Sequence, residues 1–230
     1  MEGYDHPDRL PIAVDCIIFG VIDGTLSILL IQRKESPCAK LRSLMGNFLY
    51  ADESLDEAAA RVLREFTGVS GVYLEQFRAF GKVDRDPTER TVAVGYYALV
   101  DHERVSEQII DDYAAGWVSV YELPPLVLDH AGMVTAALRR LRYRAIHEPV
   151  VFQMLGDRFT LTQLQAAYES IFDTPIDAGN FRRRLRKMSY LEQLDEKDQR
   201  HSKKGAYLYR FREDLFAEAV AGGAEFLLKP

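Results

Sequence analysis

Residues 45–69 read MGNFLYADESLDEAAARVLREFTGV, and this stretch decides the fold. Its second half is an amphipathic helix. Ser54 stands where an N-cap belongs, and Glu57 three positions on completes a capping box. Ala58, Val62, Leu63 and Phe66 recur at three- and four-residue spacing and give the helix one apolar stripe. Gly68 reads as its stop. Glu57, Arg61 and Glu65 are spaced by four and read as a ladder of ion pairs on the other face. Glu53, in the preceding loop, is placed to hydrogen-bond back to Arg61 and shape that loop.

Strands surround this helix. IAVDCIIFGVIDGTLSILLIQRK (12–34) reads as two β-branched runs joined at Asp23-Gly24, a hairpin signal. VYLEQFRAFGKV (72–83) and RTVAVGYYALVD (90–101) read as strands flanking the charged loop DRDPTE, and GWVSVYELP (116–124) contains another. Tyr96 and Tyr97 read as core or pocket wall. HAGMVTAALRRLRYRAI (130–146) is a second amphipathic helix, apolar at Met133, Val134, Ala137, Leu138 and Leu141. The expected class is α+β, with an α/β/α layered domain in the first half.

A chain of 230 residues has room for two modest domains, each with its own core. The sequence has no apolar run near 18 residues, so no membrane span is expected. The opening MEGYDHPDRLP carries acids and prolines where a secretory signal needs a basic and then an apolar region. Cys16 lies in an apolar run and reads as a small core residue. With Cys38 the only other cysteine, no disulfide is expected, and a cytoplasmic location fits. The net charge is −6, yet residues 177–212 hold 11 basic against 5 acidic residues. A basic stretch in an acidic chain points to a local polyanion partner.

That stretch lies beyond HEPVVFQML (147–155), read as a hinge between domains at 1–148 and 149–230. TLTQLQAAYESIF (160–172) is a helix capped by Thr160, and DTPID breaks it. AGNFRRRLRKMSYLE (178–192) is a second helix with Phe181, Leu185 and Met188 inward. LEQLDEKDQRHSKKGAYLYRF (191–211) then reads as two short strands around a polar basic tip, with Tyr207, Tyr209 and Phe211 packing the wing. Helix, turn, basic helix and basic hairpin is the order of a winged helix-turn-helix. Arg182, Arg183, Arg186 and Lys187 lie off the apolar stripe. Asn180 and Arg183 are candidate base readers, since asparagine pairs with adenine and arginine with guanine. The remaining cations suit phosphates, and Arg200, His201, Ser202, Lys203 and Lys204 form a wing tip suited to the backbone or the minor groove.

The opening stretch resembles the Nudix box: Gly, five residues, Glu, seven residues, Arg-Glu, an aliphatic, any residue, Glu-Glu, any residue, Gly. Glu53, Arg61, Leu63, Glu65 and Gly68 match. Asn47, Val62 and Phe66 replace the first Gly and two of the acids. Acids at 62, 65 and 66 would converge on one metal cluster, but only Glu65 remains, and magnesium requires hard oxygen ligands. The reading is therefore of a scaffold without catalytic residues, metal or other cofactor. The runner-up is an active hydrolase of nucleoside diphosphate derivatives; a binding module that contacts no DNA is a third reading.

Over nearly its whole length the chain resembles Nudix-related transcription regulators. VDCIIFG (14–20), SLMGNF (43–48), DESLDEAAARVL (52–63), YLEQFRAFGKVDRDP (73–87), LDH (128–130), NFRRRL (180–185) and SKKGAYLYRF (202–211) carry the likeness. The resemblance implies a homodimer on a palindromic operator, acting as a repressor, with a small effector in the Nudix cleft. It points most closely to regulators of arabinose utilisation, and alternatively to those that sense ADP-ribose. Asp15, Glu65, Asp84 and Asp86 would serve sugar hydroxyls; Arg33, Arg85 and Arg90 would serve the phosphates of ADP-ribose.

Overall fold

A computed structural model of the chain describes residues 9–33, 41–105, 112–199 and 205–229. The hairpin forms as β1 (Ile12–Ile22) and β2 (Thr25–Gln32). Its turn residues Asp23 and Gly24 both take positive φ, 48° and 78°, as a two-residue turn matched to strand twist requires. β3 (Arg42–Ser43), β4 (Met45–Phe48), α1 (Leu55–Thr67), β5 (Tyr73–Phe80), β6 (Val92–Leu99), β7 (Gly116–Ser119) and α2 (His130–His147) follow. The strand order is β3-β2-β1-β6-β5, with β4 added to β1 and β7 to β2. β1 and β6 are parallel; the other pairs are antiparallel.

The β1 side chains alternate between two cores. Val14, Cys16 and Ile18 pack with Ala58, Val62, Leu63 and Phe66 of α1. Ile17 and Phe19 pack on the opposite side with Met133, Val134, Ala137 and Leu141 of α2. This is the α/β/α arrangement expected, and its cause is the period-two alternation of a strand covered on both faces. Tyr96 and Tyr97 are buried, one toward each helix. Cys16 is free and buried, and burial pushes its thiol up.

Residues Pro149–Met154 form a 3-10 turn whose Val150, Val151, Phe152 and Met154 are buried. The winged helix follows: β8 (Phe159–Thr160), α3 (Leu161–Phe172), α4 (Ala178–Leu185), β9 (Leu191–Asp198), β10 (Ala206–Phe211) and α5 (Glu213–Ala221). Thr160 and Gln163 form a capping box at α3, and Asp173 ends that helix at φ 52°. Three strands in the order β8-β10-β9 make the wing sheet. The α3 and α4 cores join the cluster beneath α2, so both halves share one apolar interior.

Several expectations change. α4 ends at Leu185, seven residues short of the expected 192, because buried Tyr190 turns inward against Phe211, Phe216 and Phe226. A register shift between Tyr207 and Tyr209 breaks the alternation, so Tyr207 faces out and lies under Lys197 instead of packing the wing. The short strands β3, β4 and β8, and α5, were not anticipated. Among the described residues no helix is long and apolar enough to cross a membrane.

Candidate functional site

The Nudix-box helix is built as the sequence suggested, up to one point. The Ser54–Glu57 capping box and the left-handed Gly68 C-cap both form. Glu53 takes a bidentate hold on Arg61, with Nε–Oε2 at 2.9 Å and Nη2–Oε1 at 2.5 Å, and accepts from the Tyr50 amide. Arg61 also lies 4.0 Å from the Tyr50 ring centroid. Hydrogen bonding from Arg61 holds the Glu53 carboxyl below its ordinary value. The expected Glu57–Arg61–Glu65 ladder is not what Glu57 makes: its carboxylate turns back to the Ser54 hydroxyl and amide.

These residues do not fit a magnesium cluster. Val62 is fully buried and Phe66 nearly so, both packed into the core between α1 and the sheet, with Phe66 4.6 Å from the Tyr113 ring. Glu53 is committed to Arg61. Glu65, the remaining box acid, is exposed and hydrogen-bonds Tyr113. Among the described residues no cluster of His, Cys, Asp or Glu could hold a metal ion, and one carboxylate is a poor site for a hard divalent cation.

The cavity lies on the other face of the sheet. It measures about 250 Å3, and Asp15, Arg33, Ser43, Asn47, Arg85, Asp86, Thr91 and His130 are the polar side chains that line it. Asp15 projects from β1 opposite Gly46, where any Cβ would overlap its carboxylate. Arg85, only 6% exposed, donates to Asp129 at 2.8 and 3.2 Å and sits 3.5 Å from Asp15. Leu128 takes the left-handed conformation at φ 49°, costly for a bulky side chain, and this turn directs Asp129 and His130 back at the cavity. Asp129 caps α2 without a side-chain bond because its carboxylate is spent on Arg85. His130 Nδ1 accepts from the Leu44 amide at 3.1 Å, which leaves the ring proton on Nε2. Burial pulls the His130 ring below its ordinary value, against the opposing pull of Asp15 and Asp129.

Four of the seven residues expected at the ligand line this cavity: Asp15, Arg33, Arg85 and Asp86. The other three do not. Glu65 lies on α1, across the sheet. Asp84 is exposed on the loop and does not line the cavity. Arg90 closes the loop's base, donating to the Gly81 and Lys82 carbonyls at 3.0 Å each. Ser43, Asn47, Asp129 and His130 were missed as site residues.

On the winged helix, Asp177 caps α4 by accepting from the Asn180 amide at 2.8 Å. Asn180, Arg182, Arg183, Arg186 and Lys187 are all exposed. Arg183 donates to the Asn180 side-chain amide oxygen Oδ1 at 2.5 Å, so the two expected base readers already form one unit. Arg200, His201, Ser202, Lys203 and Lys204 lie outside the described residues.

A layered Nudix fold with a polar cavity, joined to a winged helix with an exposed basic α4, defines a ligand-responsive DNA-binding regulator. Residues 9–140 match the NUDIX domain and residues 151–211 the NrtR DNA-binding winged helix domain. The chain is 35% identical over 211 residues to the ADPR responsive transcriptional repressor NtrR of Acinetobacter baylyi, covering 90% of this chain and 84% of that protein. Its structure is similar to Shewanella oneidensis NrtR complexed with a 27mer DNA, at a TM-score of 0.81 and 30% identity, covering 94% of this chain and 98% of that one. The NUDIX domain of Shewanella oneidensis NrtR complexed with ADP ribose also matches, at 0.51 and 31% identity over 60% of this chain and 94% of that one. The chain belongs to the NrtR family of Nudix-related transcription regulators.

Proposed function

We propose that the chain is a cytoplasmic transcriptional repressor without hydrolase activity, whose 1–148 domain binds ADP-ribose or a similar nucleotide and whose 149–230 domain reads a palindromic operator. The observation that carries this reading is the likeness, over 90% of this chain, to an ADP-ribose-responsive repressor, together with a polar cavity beside the sheet. The burial of Val62 and Phe66 supports the lack of turnover, because neither position presents an oxygen to a metal or to water. A homodimer is supported by exposed Leu10, Ile12, Phe48 and Tyr50 at one corner of the sheet, where Ala13 pairs with Phe48 and Leu49 bonds to Ile12. A two-fold pair of winged helices would meet two half-sites.

A second reading, an arabinose-type sugar as effector, is favoured by one feature of the cavity. Arg85 is already neutralised by Asp129 and Asp15, and Asp86 adds a further acid. Only Arg33 among the cavity's cations has no ion pair among the described residues. Such a lining suits hydroxyls better than a diphosphate. The volume is also below the roughly 300–1,000 Å3 usual for drug-sized ligands. Calorimetry of the full chain with ADP-ribose and with L-arabinose decides between them. Heat with ADP-ribose alone supports the first reading, heat with arabinose alone the second, and heat with neither removes both.

A further inference from the structure

α4 and the turn after it present Asn180, Arg182, Arg183, Arg186 and Lys187 to solvent, but Arg184 points the other way. Its guanidinium donates to the main-chain carbonyls of Leu227, at 3.3 Å, and Lys229. The segment that offers these carbonyls is itself anchored. Leu228 is fully buried and its amide donates to the Ile146 carbonyl of α2 at 3.0 Å. Phe226 is 5% exposed and packs against Phe216 and Tyr190. Residues 224–229 therefore run as a strap with α4 on one side and the last turn of α2 on the other.

α2 is also tied to the other helix of the motif. Arg142 donates to the Ile171 carbonyl at 2.8 Å, Tyr121 to those of Ser170 and Ile171, and the Tyr168 hydroxyl to Ala145 at 3.0 Å. The bonds from Arg142 and Tyr121 satisfy orphan carbonyls at the end of α3, where a cation is also favoured by the helix dipole, and the bond from Tyr168 satisfies one in the last turn of α2. At its opposite end α2 begins with Asp129 and His130, which hold Arg85 and Leu44 at the cavity. One 18-residue helix thus runs from the cavity to α3 and, through the strap, is linked to α4.

We infer that Arg184 is a positioning residue for operator recognition: it contacts no base, and through the C-terminal strap it fixes the angle at which Asn180 and Arg183 are presented. Arginine suits this task because its planar fork bridges two carbonyls at once, whereas a lysine ammonium reaches one less rigidly. The inference rests on the DNA-binding reading of α4 proposed above.

The test uses the full chain as wild type, Arg184→Met and Arg184→Lys. Each is measured against a duplex that the wild type enriches from a random pool and against a scrambled duplex of the same length. The Met variant is expected to lose about tenfold or more in preference for the enriched duplex, the scale of one base contact. Its affinity for the scrambled duplex and its melting temperature should hold, because Arg182, Arg186 and Lys187 still meet phosphates. The Lys variant keeps the charge and should fall between the two. Unchanged preference in both variants overturns the inference alone. An equal loss on both duplexes also overturns it, since that marks a charge effect. A wild type that enriches no duplex overturns the DNA-binding reading and this inference with it.

Discussion

α1 and α4 are both short, N-capped, amphipathic helices, and they divide their side chains in opposite ways. In α1, two positions that the Nudix pattern gives to acids hold Val62 and Phe66, and both are core. The helix keeps its cap, its C-terminal glycine and the Glu53–Arg61 clasp, all of which shape the backbone. In α4 only Phe181 and Leu185 are buried, and the polar residues stand free of the core. The first helix contributes packing, the second contributes contact. A conserved-looking motif frame is thus no guide to chemistry until the direction of each side chain is known.

The strongest way to break this contrast is Val62→Glu. A carboxylate there enters a fully buried apolar site, and we expect a loss of about 3–5 kcal/mol or outright unfolding, read by urea denaturation. A stable V62E chain that gained magnesium-dependent turnover of ADP-ribose would show that the site remained catalytic in frame. On the α4 side, Arg183→Ala should cost about 1–3 kcal/mol of affinity for the enriched duplex and relax its sequence preference. Loss of affinity without any change in preference would reduce Arg183 to a phosphate contact.

The pH arm is smaller. Burial alone would raise the Glu75 carboxyl, but hydrogen bonds from Tyr73, Tyr97, Arg144 and Arg140 outweigh it and hold the value at about 2. A carboxyl depressed in the folded state stabilises fully above its ordinary value of 4.5 and loses that contribution as pH falls through about 2. Denaturation midpoints should therefore decline between these limits, and less so in Glu75→Gln. The decline is moderated because Arg140 and Arg144 are partly exposed and screened. An identical acid profile for both chains would remove the network from the account. Smallest of all, Ser54→Ala should cost about 1 kcal/mol of stability through the lost cap, with duplex affinity unchanged.

What could be read from the sequence was local. The Ser54–Glu57 capping box, the Thr160 cap, the Asp23-Gly24 turn and the Glu53–Arg61 clasp each involve residues within eight positions, so their spacing is visible. The cavity depends on longer reach. Asp129 meets Arg85 44 residues away and His130 meets Leu44 86 residues away, and no period links them. Arg90 and Asp84 were chosen for charge in the right loop, but a loop sequence does not say which of its arginines turns inward. Arg85 does, and Arg90 staples the backbone instead. The strap was hidden for the same reason: Arg184 looks like its neighbours until the chain end folds beneath it.

The most direct test is titration of ADP-ribose, with magnesium present, into the full chain bound to its enriched duplex, followed by recovery of the ligand for mass analysis. We predict a change in duplex affinity of about tenfold or more, a coupling of roughly 1–3 kcal/mol, with the ADP-ribose recovered intact. Conversion of ADP-ribose to AMP and ribose 5-phosphate, with duplex affinity unmoved, would contradict the account.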